Sequence, residues 1–421
     1  MKCQNPKTEN NETMKIVHII TRLILGGAQE NTLITCKLLA QRGHDVTLIT
    51  GPAIGPEGEL YEQAKTGGYE TIILDDLRRE INPVCDIPAY FKLKSLLKKL
   101  KPDIVHTHSA KAGILGRFAA WSLKGLNGNP AAPHVVHTIH GLAFHEYQNP
   151  LLNKFYIAVE KAAANRTDAF ITVADTMTEK SRAAGIGLDK PYTTAYSAIE
   201  EDAYLTPPSR EDIVAFRRKY TISNEATVIV KIARLFDLKG HDFVIESARR
   251  LAAKYDNCVW LFVGDGILSD ILKRQIQFAG LTHRFKFTGL LPPEKIPLAI
   301  HASDILVHCS LREGLARVLP QAMLCAKPVV SFDIDGAKEV VNSQTGFLVK
   351  PESIDHLTSA CDKLIADPAL RARLGAAARD SVIRKFAPDT MVDTIEKVYA
   401  SLIEKPSYAL PLEPENKKGK S

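Results

Sequence analysis

The chain has 421 residues, a length that suits two domains better than one. Hydrophobic residues make up 45% and charged residues 24%, which excludes disorder over most of the length. The net charge of +6 is spread evenly, with 23 basic and 20 acidic residues through Glu200 and 31 and 28 beyond it. Neither half is a basic arm or an acidic tail, so a dedicated nucleic-acid binder is disfavoured, whereas substrates that carry phosphates are not.

The globular part is expected to begin at Met14, after a polar, disordered stretch at 1–13 with no apolar run of the signal-peptide kind. Short apolar runs then alternate with longer amphipathic segments. Strands are expected at 14–20, 45–50, 71–74, 103–106, 134–139 and 169–173, with a helix at 30–42 after a Gly-Gly loop. Val- and Ile-rich runs separated by helices describe a parallel sheet covered on both faces. Residues 200–210 (EEDAYLTPPSR), with two prolines and many charges, read as a linker. The alternation restarts with strands at 226–233, 258–263, 284–287, 304–308 and 328–332. A final helix is expected at 390–403, followed by a disordered tail at 405–421. The fold class is therefore α/β, with two Rossmann-like doubly wound domains facing a cleft.

Seven cysteines without any C-x-x-C spacing fit reduced, buried thiols, and no run of 18 apolar residues exists. A cytoplasmic protein is expected, with any membrane contact peripheral. A basic amphipathic helix at 88–101 would supply such contact: Leu93, Leu96, Leu97 and Leu100 share one face and Lys92, Lys94, Lys98, Lys99 and Lys101 crowd the rest. A helix whose leucines pack on the sheet and whose lysines are merely solvated is the alternative.

Two common chemistries of this architecture do not fit. The loop after the first strand reads Gly26-Gly27-Ala28-Gln29, not G-x-G-x-x-G, and the second strand ends without the acidic residue that would hold an adenosine ribose. A nicotinamide dehydrogenase is thus disfavoured. No P-loop sequence occurs either. The stretch 312–330 (REGLARVLPQAMLCAKPVV) is more informative, because it places Glu313 and Gly314 just before a helix expected to start near Val318 to Pro320. Backbone amides there would suit a phosphate, and the glycine would let it approach.

Several motifs occur together in one order. They are Gly26-Gly27-Ala28-Gln29, the run PDIVHTH at 102–108, HTIHG at 137–141, Ala233-Arg234-Leu235 followed by Lys239-Gly240, Val263-Gly264-Asp265-Gly266, Glu313-Gly314, and a helix and strand at 322–330. In this combination, over 14–404, the chain resembles the retaining glycosyltransferases of family 4, which have the GT-B fold. The resemblance implies an N-terminal acceptor domain at 14–199, a donor domain at 211–385 and a C-terminal helix at 386–404. It implies a nucleotide-sugar donor, most often linked to uridine diphosphate, a glycan or lipid-linked acceptor, and no metal or other cofactor.

Site residues carry over one by one. Arg234 and Lys239 match the cations that clamp the donor diphosphate, where charge grows as the bond breaks. Glu313 matches the carboxylate that binds sugar hydroxyls, and Gly314, Leu315 and Ala316 would turn amides to the diphosphate. His140 matches the histidine that contacts the donor sugar, with a core histidine as the alternative. Gly26 and Gly27 would allow close approach of the diphosphate or acceptor. Gly264, Asp265 and Gly266 resemble the loop near the nucleoside, and Leu290 would offer its backbone to the base. Gln321 departs from the pattern, since it stands where the family has a second Glu that binds ribose. An amide can still meet two vicinal hydroxyls, as one donor and one acceptor.

His106, His108, His134, His137, His140 and His145 also raise a metal site. On strands, 106 and 108 share a face while 137 and 140 point apart, which leaves too few convergent ligands. The resemblance implies front-face attack through an oxocarbenium-like state, with the leaving diphosphate helping to take the acceptor's proton. A sugar-nucleotide epimerase and a non-catalytic descendant of the same architecture are the remaining alternatives.

Overall fold

The computed structural model describes residues 12–54, 58–124 and 132–404. The disordered ends expected at 1–13 and 405–421 fall almost wholly outside those residues. Seven strands build the first sheet: β1 (Lys15–Arg22), β2 (Asp45–Gly51), β3 (Glu70–Ile73), β4 (Ile104–His108), β5 (His134–Ile139), β6 (Ala169–Thr172) and β7 (Tyr192–Thr194). Six build the second: β8 (Thr227–Ile232), β9 (Cys258–Val263), β10 (Phe285–Phe287), β11 (Ile305–His308), β12 (Val329–Phe332) and β13 (Gly346–Val349).

The orders are β3-β2-β1-β4-β5-β6-β7 and β10-β9-β8-β11-β12-β13, and the ladders are parallel. Each order reverses beside its first strand, at β1/β4 and at β8/β11. The helices that follow those strands leave toward opposite faces there, which opens a crevice at the strands' carboxyl ends. Central strands are apolar on both faces because helices cover both: Ile16, Ile19 and Ile20 of β1 and Val228, Ile229 and Val230 of β8 are at most 1% exposed.

The edge strands β7 and β13 were not expected from the sequence. Each has a single neighbour and only three or four residues: β7 carries two threonines, and the apolar run of β13 is four residues long with Phe347 and Leu348 half-buried. The basic helix is longer than expected, Pro83–Leu100. Asn82 caps it through Val84 N and Pro83 takes the first turn, while Pro88 lies inside it. The sequence 200–210 is not bare linker: it holds a short helix, Asp202–Leu205, whose Tyr204 is buried against the second half.

The last helix, Pro388–Ile403, returns to the first sheet and buries Met391, Val392, Ile395, Val398 and Tyr399 in that sheet's core. Arg42 fixes its outer side through Asp389, Asp393 and Glu396. The chain thus passes between the halves twice, and the two crossings meet where Ile199 N donates to Phe386 O at 3.0 Å. Among the described residues no helix is long and apolar enough to cross a membrane.

Candidate active site

A cleft of about 420 Å³ opens between the carboxyl ends of the two sheets. The first sheet contributes Gly26 and Gly27, beyond β1, and His140, one residue beyond β5. Arg234 follows β8, Lys239 lies five residues on, and Glu313, Gly314, Leu315 and Ala316 follow β11. Residues from distant parts of the sequence therefore face one another, as expected from the motifs.

Gly264, Asp265, Gly266, Leu290 and Gln321 do not line this cleft. The first four lie next to it. Asp265 O accepts from Leu235 N at 2.9 Å and Gly289 O from Gly264 N at 3.0 Å, so these turns flank the loop that carries Arg234. Leu290 is 49% exposed. Gln321 sits on the helix Val318–Leu324, which starts where expected, beside the hydroxyl of Tyr204.

Two predicted residues pair with each other. Lys239 Nζ donates to Glu313 Oε1 at 2.5 Å, and both side chains are 22% exposed. Burial alone would raise the Glu313 carboxyl, but the charge and hydrogen bond of Lys239 and the hydroxyl of Ser310 outweigh it and hold it below the ordinary carboxylate range. Glu313 is thus a charged acceptor at neutral pH. His308, with Nε2 3.9 Å from Glu313 Oε1, is pushed down to about 3 by burial and stays neutral. Asp335 Oδ2 accepts from Glu313 N at 2.7 Å and anchors the loop.

Gly314 has no room for a side chain, since a Cβ would collide with the carbonyl oxygen of His140 from the other half. Gly27 is crowded differently: a Cβ there would stand 3.0 Å from Arg317 Cδ. Gly26 has φ 177°, extended backbone open to any residue, so no tight turn demands it. Arg317, which sequence reasoning passed over, ion-pairs with Glu30 and donates from Nη2 to Ala198 O at 3.0 Å. Its signal was a cation four residues after Glu313. Arg234 places its guanidinium 5.0 Å from the Phe236 ring centre.

A second cavity of about 390 Å³ adjoins the first and shares Glu313 with it. Tyr147, Lys180, Arg312 and Asp335 line it, and Arg312 donates to Leu142 O across the two halves.

The histidines separate as the strand alternation requires. His137 turns to Thr107 Oγ1 at 2.9 Å, on one face of the sheet. His140 turns to the other, where its Nε2 meets His108 Nδ1 at 3.0 Å. His106 is held by Tyr399 Oη and by Thr138 Oγ1, both at 2.6 Å. His18, the one polar side chain in the apolar run 16–20, joins them from β1 and was also missed. Ring nitrogens of His18, His106 and His108 lie within 4.8 Å of one another, so among the described residues these are the side chains best placed to hold a metal. The rings already bond to neighbours, no carboxylate among the described residues joins them, and burial holds all three neutral, so a dication there would be uncompensated. The group is a hydrogen-bonded network.

Residues 25–195 match the family described as Glycosyltransferase Family 4, and residues 212–381 match Glycosyl transferases group 1. The chain is 28% identical over 394 residues to the UDP-Gal:alpha-D-GlcNAc-diphosphoundecaprenol alpha-1,3-galactosyltransferase of Escherichia coli, covering 93% of this chain and 97% of that one. It is 25% identical over 390 residues to the 2-deoxystreptamine N-acetyl-D-glucosaminyltransferase of Streptomyces fradiae, covering 88% and 90%. Its fold matches a crystal structure of Anabaena HepE in complex with UDP-glucose at a TM-score of 0.78 and 23% identity, over 92% of this chain and 100% of that one. With both halves matched in order and the two sheets set around one cleft, the chain belongs to glycosyltransferase family 4 and is a glycosyltransferase of the GT-B fold.

Proposed function

We propose that the protein is a retaining glycosyltransferase that moves a sugar from a uridine-diphosphate donor to a glycan or lipid-linked acceptor in the synthesis of a cell-surface polysaccharide or glycolipid. The observation that carries the reading is the meeting of Arg234, Lys239 and Glu313 with His140 across one cleft. The half at 211–385 takes the donor. Arg234 and Lys239 hold its diphosphate; Lys239 has three N–H donors and can keep Glu313 while it binds phosphate oxygen. Glu313, charged and partly desolvated, accepts from sugar hydroxyls, and His140 touches the same sugar from the opposite wall.

The half at 14–199 takes the acceptor, which reaches Glu313 through the adjoining cavity lined by Tyr147 and Arg312. Cleavage of the sugar–phosphate bond leaves charge on the diphosphate, and fixed cations stabilise it most in the transition state. The acceptor oxygen attacks the same face and passes its proton to the departing phosphate oxygen, which gives retention without a carboxylate nucleophile. Both the uridine donor and the lipid-linked acceptor are supported by the galactosyltransferase of Escherichia coli, whose name carries UDP-Gal and diphosphoundecaprenol.

The same reading places the protein at the cytoplasmic membrane face. On the helix Pro83–Leu100, Leu93 and Leu97 are buried in the sheet's core, whereas Val84 is 80% and Phe91 61% exposed beside exposed Lys92, Lys98 and Lys99. Apolar side chains among lysines suit an anionic bilayer surface. The activity is tested by incubation with a panel of nucleotide sugars, with and without polyprenyl-diphosphate acceptors. Release of uridine diphosphate that depends on acceptor, and a product keeping the donor's anomeric configuration by NMR, are expected. Release of a free altered sugar without acceptor would show an epimerase instead.

A further inference from the structure

His140, His108 and His18 form one continuous chain of imidazoles running from the cleft wall into the sheet. His140 Nε2 meets His108 Nδ1 at 3.0 Å, and His108 Nε2 meets His18 Nδ1 at 2.9 Å. The rings follow each other closely, with centroids 5.3 Å apart at both steps. The geometry comes from the ladder. His18 and His106 are paired neighbours on β1 and β4, so His108 stands one pleat further along the same face, and His140 continues β5 on that face beyond Thr138, the partner of His108. The inner end is closed, because His18 Nε2 is buried with no hydrogen-bond partner among the described residues.

Burial pushes His140 down to about 4 and His18 to about 3, and holds His108 well below its ordinary value. Each ring is therefore neutral at physiological pH and carries one N–H and one lone pair. Such a chain has only two consistent arrangements. In one, protons sit on Nε2 of all three rings, which leaves the His18 Nε2–H buried without an acceptor. In the other, protons sit on Nδ1 of all three, and the unpartnered atom of His18 is a lone pair. Orphaned buried N–H groups are rarer than under-satisfied acceptors, and an unmet buried donor forfeits a hydrogen bond.

We propose that His18 and His108 are positioning residues that fix His140 in its Nδ1–H form, so that it presents a hydrogen-bond donor to the cleft. It meets an oxygen of the donor sugar as an N–H, and it is not a proton acceptor for the attacking hydroxyl. Neither His18 nor His108 needs to touch the ligand. The inference rests on the reading of the cleft as the donor site only for the identity of the oxygen; the tautomer stands on the hydrogen-bond geometry and on the burial that keeps the rings neutral.

The test is a long-range 1H–15N correlation spectrum of the full chain labelled at histidine nitrogens, with His140 assigned by its absence in His140→Gln. The expected spectrum shows His140 as the Nδ1–H tautomer in the wild type. In His108→Leu the ring that donates to His140 Nε2 is gone, and His140 should move toward the Nε2–H form while the donor KM rises about tenfold, one hydrogen bond's worth, and the thermal midpoint is kept. His108→Phe serves as a second variant if His108→Leu folds poorly. An Nε2–H signal for His140 in the wild type, or an unchanged tautomer in both variants, overturns the proposal. Failure of the donor-site reading looks different: His140→Gln would leave donor binding untouched whatever the tautomer.

Discussion

Arg317 reaches across the cleft to Glu30, so a cation beside the proposed donor site is held by a carboxylate from the opposite half. The pair is partly buried, with side chains 11% and 27% exposed. Arg317→Gln removes a positive charge from the cleft and should weaken binding of uridine diphosphate by about tenfold or more, on the scale of one charge-assisted hydrogen bond. Glu30→Gln keeps the charge and releases the guanidinium, so binding should hold or tighten. Titration calorimetry with uridine diphosphate separates the two. The reverse order would mean that Glu30, and not Arg317, meets the ligand.

Lys239→Ala and Arg234→Ala should each lower turnover by about 10²-fold, the cost of losing a fixed charge at a developing anion. Lys239→Ala also leaves Glu313 without its ion pair, so its carboxyl should rise in pKa. Glu313→Gln should lose activity too, because the amide is a weaker acceptor for hydroxyls. Steady-state kinetics on purified, folded variants decide the matter. Full turnover in both cation variants would remove the diphosphate clamp.

Gln321→Glu restores the residue usual in the family at this position. Bound to ribose, the side chain acts equally on ground and transition states, so the donor KM should change more than kcat. Tyr204 beside it makes a second outcome informative. If both constants stay put, Gln321 serves the helix Asp202–Leu205 and not the nucleoside.

Stability should fall on mild acidification. Burial pushes His18 and His308 down to about 3 and His140 to about 4, while an unfolded histidine titrates near about 6.5. Between those values the unfolded chain binds more protons, so stability is full above the unfolded value and is lost as pH falls toward the folded ones. At pH 5 the loss is about 2 kcal/mol for each such histidine. Glu313 is also shifted down, but its contribution lies below this pH range. Its lowered pKa adds stability that persists until pH falls below the unfolded carboxylate value of about 4.3. Melting curves from pH 7.5 to 5 at constant ionic strength check this, and a flat midpoint would contradict it.

Vesicle sedimentation tests the membrane reading. Exposed lysines contribute roughly 1 kcal/mol each near an anionic surface, so binding should appear with anionic vesicles and fade with salt. Phe91→Ser and Val84→Ser, both on exposed positions, should weaken it without loss of fold. Equal, negligible binding to anionic and neutral vesicles would favour an acceptor free in solution.

The inner strands were legible because their burial writes a continuous apolar run, and the motif loops because each follows such a strand. β7 and β13 were not, since Tyr192–Thr194 carries two threonines and Gly346–Val349 is a four-residue run that opens on glycine. The same limit applied to the site. Arg234, Lys239, Glu313 and His140 stand in recognisable local patterns, whereas Glu30 with Arg317 and His18 with His108 become partners only through pairings 287 and 90 residues apart in sequence. No local pattern encodes such contacts.

Tyr399 lies in the core of the first sheet, with its hydroxyl on His106, although 293 residues separate them. During synthesis the half that emerges first therefore lacks part of its own interior until the last helix leaves the ribosome. The second half, whose sheet is complete at Val349, can close before the first. A chain cut short before Met391 would keep every residue of the cleft and still lack the helix that seals the wall holding His140, so loss of this end should resemble a folding defect and not a catalytic one.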